Sequence, residues 1–220
     1  MPDASEITDT LTSALLYQLQ VLPDTLLMGS IVFAILLANP AVLALALGLT
    51  ATQGLAHFAG AAIASAQPNQ TIVRSSLDTC TGGYVGRSWG RLFRAGTEAL
   101  WHPRAPSVYL ATVGFFTAYG AALSQLYREE IDAGMMPRNT LIGMGSLMAL
   151  LVSITLVFRI YSKCESLLGA IGGLALGALL GYFVAIVLGY ATDRRATNLW
   201  GIPLLRDRIN AGSAVYVCPK

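Results

Sequence analysis

The stretch LLGAIGGLALGALLGYFVAIVLGYA, residues 167–191, has no charged side chain and places a small residue at every fourth position. In water, glycine disfavours a helix by about 1 kcal/mol relative to alanine. In lipid, however, small residues four apart let the backbone of a second helix approach closely. The stretch therefore predicts a membrane-spanning helix with a glycine groove, formed by Gly169, Gly173, Gly177, Gly181, Ala185 and Gly189.

The glycine groove requires a helix to fill it. Two segments of the same chain carry small residues that suit close packing, namely 107–127 with Gly114, Ala118, Ala121 and Ala122, and 40–65 with Gly54, Gly60 and Ala61. The alternative is a groove filled by a second copy of the chain, which would make the protein a homo-oligomer.

The composition is that of a membrane protein. The chain of 220 residues is 55% hydrophobic and 12% charged, whereas a soluble domain has about 25% charged residues. So few charges cannot solvate a folded surface. The formal net charge of +2 does not indicate nucleic-acid binding. We expect an all-α integral membrane protein with no cofactor.

The uncharged runs predict a bundle of about five transmembrane helices. Residues 25–65 carry no full charge and are long enough for two crossings. Asn39-Pro40 reads as an N-cap followed by a first-turn proline, which predicts a hairpin of helices at about 24–38 and 40–65. The competing interpretation is one kinked helix over 25–48, followed by a re-entrant or surface segment over 50–65. Three further crossings are predicted at 106–127, 139–158 and 166–192, and the last two are expected to be antiparallel neighbours.

These runs divide the chain into five parts. Residues 1–23 form an acidic segment with an interfacial helix over 11–22, a fresh element beginning at Pro23 and no cleaved signal. The hairpin occupies 24–65, a structured basic loop 66–106, three helices 107–192 and a tail 193–220. The tail alternates polar and apolar residues around Asn210-Ala211-Gly212, which predicts a β-hairpin. The Lys and Arg residues divide equally between the two membrane sides, so the positive-inside rule leaves the orientation open.

Few residues suggest chemistry. His57, Gln53 and Tyr119 are the candidates for a polar site within the membrane, although simple hydrogen bonds inside the bundle are the alternative. The cysteines Cys80, Cys164 and Cys218 have neither a disulfide pattern nor metal-ligand spacing. We expect unpaired thiols and no metal.

The loop carries Arg87, Arg91 and Arg94 at helical spacing beside Trp89 and Phe93. Such a basic surface can contact anionic lipid or an acidic protein partner. The alternative is a solvated loop face beside a membrane helix.

One segment resembles an enzyme family. HPRAPSVY, residues 102–109, is similar to the Pro-Ser-Gly-His segment of membrane phosphatidic acid phosphatases, a family that needs two catalytic histidines. Tyr109 stands at the position of the first, and no histidine follows His102. The sequence therefore predicts no enzyme, and a degenerate, non-catalytic relative remains an alternative.

Four pieces in order, LPDTLL (22–27), CTGGYVG (80–86), PSVYL (106–110) and LWGIPLLRDRINAGSAVYVC (199–218), resemble uncharacterised multi-pass membrane proteins of nucleocytoplasmic large DNA viruses. The resemblance implies a component of the virion's internal membrane, or of a host membrane, that links lipid to capsid. No catalytic or ligand residue carries over from it.

Two classes of function follow. The first is a structural or interaction protein that contacts membrane lipids and binds a protein partner through loop 66–106 or tail 193–220. The second is a small channel or transporter with a path near His57.

Overall fold

The computed structural model describes residues 4–66, 106–132, 138–162, 164–192, 197–199, 205–206 and 216–217. Its helices are α1 (Ala4–Leu37), α2 (Pro40–Ala66), α3 (Val108–Leu126), α4 (Arg128–Glu130), α5 (Arg138–Tyr161) and α6 (Leu167–Ala191). In the tail, β1 (Leu205–Arg206) pairs antiparallel with β2 (Tyr216–Val217). The residues between these two short strands lie outside the described part, so the complete β-hairpin stays a prediction.

Four helices are long and apolar enough to cross a membrane: Tyr17–Leu37, Pro40–Gly60, Asn139–Tyr161 and Leu167–Ala191. Their outward side chains are largely Leu, Ile, Val and Phe, as lipid contact requires. The prediction of a multi-pass, helical membrane protein is therefore confirmed. The fifth predicted crossing, α3, is a helix of 19 residues but is not among the four.

The first helix differs from the sequence-based expectation. Residues 4–37 form one continuous helix that contains Pro23, so the prediction of a separate interfacial helix ending before Pro23 is wrong. Proline removes one backbone hydrogen bond, but a membrane helix tolerates the loss because neighbouring groups satisfy the freed carbonyl. The crossing thus begins near Tyr17 and is not shortened to the 15 or so residues expected.

The turn between α1 and α2 forms where it was predicted. Ala38 adopts a left-handed conformation with φ of 46°, which ends α1. The side-chain oxygen Oδ1 of Asn39 then accepts a hydrogen bond of 2.9 Å from the backbone N–H of Ala41, and Pro40 opens α2. The structure therefore has two helices that are each long enough to cross the membrane, and not the single kinked helix of the competing interpretation.

Helix α3 lies at the centre of the bundle. Most of its residues are buried, and it is surrounded by α2, α5 and α6. Ser107 caps its N-terminus by accepting a hydrogen bond of 3.1 Å from the backbone N–H of Leu110. Ser166 caps α6 in the same way through Gly169.

The two capped N-termini lie together, because the backbone N–H of Ser107 donates to the carbonyl of Gly169 over 2.9 Å. Helices α3 and α6 therefore begin at the same end of the bundle, which we call the Ser107 end. At the other end, the hydroxyls of Tyr127 and Thr197 lie 2.6 Å apart. We call this the Tyr127 end.

Helix α2 runs opposite to α3. Gly48, in the first part of α2, packs against the ring of Phe115. Asp24 of α1 is within electrostatic range of Tyr109, near the start of α3. Since α1 and α2 form a hairpin, α2 must return toward the Ser107 end. Residue 66, the last of α2, is thus at the same end as Pro106.

The turn after α5 makes α5 and α6 antiparallel, as predicted. Their packing is less intimate than expected, because α6 lies mainly against α3 while most of α5 faces outward. The short connection fixes the direction of the chain but does not force the two helices into close contact.

Candidate functional site

Helix α3 occupies the glycine groove of α6. A Cβ atom at Gly173 would overlap the carbonyl oxygen of Ser107, and one at Gly177 would overlap that of Ala111. A Cβ atom at Gly181 would likewise overlap the carbonyl oxygen of Phe115. From one contact to the next, the residue on α3 and the glycine on α6 both advance by four positions. The two helices therefore run parallel, with their backbones in contact. Of the two intramolecular candidates, 107–127 fills the groove.

The close approach is reciprocal. A Cβ atom at Gly114 of α3 would lie 2.5 Å from the carbonyl oxygen of Leu174. Gly169 and Ala185 of the groove are also buried, whereas Gly189 faces the flexible side chain of Leu126. Close packing is one of the forces that associate helices in lipid, and this pair of helices forms the tightly packed centre of the bundle.

Polar side chains within the helices are mostly satisfied by their own backbone. The hydroxyls of Thr112 and Thr117 donate to carbonyls of α3, and the hydroxyl of Thr52 donates to a carbonyl of α2. These bonds allow polar residues in an apolar medium without forming a polar path. They also explain how α3 can carry several Thr and Ser residues.

An apolar groove of about 450 Å³ lies between α3 and α5. The hydroxyls of Thr117 and Ser124, which line it, bond to carbonyls of their own helix. The remaining lining is Ala118, Gly120, Ala121, Leu141, Met144, Gly145, Met148, Ala149 and Val152. This groove offers no charged or free polar group for chemistry.

The three residues of the predicted polar site lie on two different helices. Gln53 and Tyr119 are buried, and His57 is half-buried. His57 lies nine residues beyond Gly48 along α2, whereas Tyr119 lies one turn beyond Phe115 in the opposite direction. At 1.5 Å per residue, His57 and Tyr119 are separated by about 20 Å along the bundle axis. Tyr119 therefore lies apart from His57, whereas Gln53 and His57 lie one turn apart on α2.

A buried ion pair lies at the Ser107 end. The guanidinium of Arg159 donates from Nη2 to Oε1 of Glu165 over 2.5 Å and from Nε to the same oxygen over 3.1 Å. Their side chains are only 7% and 8% exposed. The guanidinium carbon also lies 4.6 Å from the ring centroid of Tyr109, a cation–π contact. The pair joins the α5–α6 turn to the start of α3.

Sequence reasoning missed this cluster. Arg159 and Glu165 flank a short turn, a position that normally faces water. Tyr109 is about fifty positions upstream, so no local pattern connects it with them. The one usable signal was that opposite charges at the two ends of a tight turn can pair across it. Glu130, at the Tyr127 end, is likewise fully buried, although charged residues stand beside it in the sequence.

The cysteine prediction is also wrong in one respect. Cys164 is disulfide-bonded, so it is not a free thiol. The basic loop residues Arg87, Arg91 and Arg94 lie outside the described residues. Within the described part of the chain, no group of three or more His, Cys, Asp or Glu side chains is arranged to hold a metal ion.

Comparisons with protein-family models, with curated proteins and with solved structures find no match to this chain.

Proposed function

We propose that the protein is a structural or interaction component of a membrane assembly. Its helix bundle would hold loop 66–106 at one membrane face and tail 193–220 at the other, where they contact lipid and a protein partner. The observation that supports this proposal most is the filled centre of the bundle. Backbone contact between α3 and α6 leaves no space for a passage between them.

The proposal includes α3 as the fifth crossing. It runs parallel to α6 from Ser107 beside Gly173 to Leu126 beside Gly189, and its 19 residues span about 28 Å. The other helices cover most of α3, so its composition need not be as apolar as that of the outer helices. The resemblance to large-DNA-virus membrane proteins makes the internal membrane of a virion, with its capsid, the assembly we would test first.

The basic loop is the part we expect to recognise the partner or the lipid headgroups. Each Lys or Arg near an anionic membrane surface contributes about 1 kcal/mol of attraction, and added salt weakens that attraction. The triple substitution Arg87→Gln, Arg91→Gln and Arg94→Gln should therefore reduce binding without unfolding the helices.

The experiment compares the full-length protein in nanodiscs for binding to vesicles rich in phosphatidylserine and to vesicles of phosphatidylcholine alone. We expect binding to the anionic vesicles only, and its loss in the triple variant. Arg128→Gln is the matched control, because Arg128 lies at the Tyr127 end in an exposed ion pair with Asp132. Equal binding by the wild type and the triple variant would contradict a recognition role for the loop.

A further inference from the structure

The disulfide of Cys164 carries information about both the loop and the orientation of the protein. Cys164 is buried and lies in the turn between α5 and α6. Its backbone N–H donates to the carbonyl of Arg159 over 3.1 Å, which fixes it at the Ser107 end. The partner sulfur must reach this end of the bundle.

The chain has three cysteines, so the partner is Cys80 or Cys218. The tail that carries Cys218 leaves the bundle at the Tyr127 end, where Thr197 contacts Tyr127. Between that end and Cys164 lies the full length of α6, whose 25 residues span about 37 Å.

Cys218 is badly placed to cover this distance. It directly follows Val217, which pairs with Leu205, and Leu205 is only eight residues after Thr197. Even fully extended, eight residues reach about 27 Å. They would also have to run along the bundle through lipid, where an extended chain leaves its N–H and C=O groups without partners. That route is strongly disfavoured.

Cys80 has no such obstacle. It belongs to the segment that joins residue 66, the last of α2, to Pro106, and both of these lie at the Ser107 end. We propose that Cys80 and Cys164 form the disulfide, so that the segment between α2 and α3 is covalently attached to the α5–α6 turn, and that this membrane face lies in an oxidising compartment.

Formation of the bond is a two-electron oxidation. The two thiols lose two protons and two electrons and form one S–S bond, while a disulfide-bearing oxidant accepts the electrons and is reduced to two thiols. Disulfides of this kind persist outside the cytosol. The equal division of Lys and Arg does not determine the orientation, but the disulfide does: the Ser107 end faces the oxidising side, and the tail faces the reducing side.

The bond also bears on the loop. Arg87 follows Cys80 by seven positions, so the basic residues would start within about 24 Å of the α5–α6 turn. This last consequence rests on the proposed function, whereas the bond and the orientation do not.

Thiol counting in the denatured, full-length protein tests the pairing. Without reductant, wild type should react with maleimide at one cysteine, Cys218→Ser at none and Cys80→Ser at two. If Cys80→Ser keeps Cys164 blocked while Cys218→Ser frees it, the assignment is wrong. Peptide mapping of the unreduced wild type by mass spectrometry identifies the linked pair without any variant, so a variant that misfolds does not spoil the test.

A membrane-impermeant phosphine reductant tests the orientation. Applied to sealed membrane vesicles whose oxidising side faces outward, it should open the Cys80–Cys164 bond, while Cys218 should accept an impermeant maleimide only after the vesicles are permeabilised. A bond that opens only in permeabilised vesicles would overturn the orientation, whereas the pairing and the proposed function have their own tests.

Discussion

At the scale of single residues, the most demanding position is Gly177. A methyl group there would overlap the backbone carbonyl of Ala111, and a backbone cannot move aside as a flexible side chain can. We expect Gly177→Ala to lower the free energy of unfolding by about 1–3 kcal/mol, measured by denaturation in mixed detergent. Gly172→Ala is the matched control, since nothing lies within 4 Å of a Cβ at Gly172, and it should be neutral or slightly stabilising. Equal effects of both substitutions would contradict the close helix contact.

The second prediction at this scale concerns the ion pair of Arg159 and Glu165. Removing one partner leaves a buried charge uncompensated, so Arg159→Met should cost about 3–5 kcal/mol. The double variant with Glu165→Leu should recover most of that loss, because it removes both charges. Arg128→Met, in an exposed pair, should change the free energy of unfolding by no more than about 0.5 kcal/mol. A double variant as unstable as the single one would mean that the contact with Tyr109, not the charge balance, governs the site.

At the scale of elements, the α1–α2 turn depends on the cap of α2. The bond from the backbone N–H of Ala41 to Asn39 satisfies a helix-end donor at the edge of the membrane. We expect Asn39→Ala to lower the free energy of unfolding by about 1 kcal/mol, whereas Asn39→Asp should keep most of the wild-type value. Asn139→Ala should have little effect, because Asn139 lies inside the first turn of α5 and not before it. Equal effects of Asn39→Ala, Asn39→Asp and Asn139→Ala on the free energy of unfolding would mean that the cap does not stabilise the hairpin.

At the scale of the whole molecule, the sequence predicted the parts of the fold that have a local cause. Uncharged runs gave the lipid-facing helices, and Asn39-Pro40 gave the turn between α1 and α2. The small residues four positions apart predicted the glycine groove. That 107–127 fills this groove could be named only as one of several alternatives. The continuity of α1 through Pro23 could not be predicted, because proline breaks most helices in water whereas a membrane helix tolerates it. The burial of Arg159, Glu165 and Cys164 depends on residues far away in the chain.

We propose that the bundle is closed and serves as a scaffold. Proton flux into liposomes that contain the purified protein tests it most directly, with protein-free liposomes as the baseline. We predict that the wild type and His57→Ala both leak at the baseline rate, since His57 and Tyr119 lie about 20 Å apart along the bundle axis and α3 fills the centre. A flux above baseline in the wild type that disappears in His57→Ala would contradict the account and make the protein a transporter.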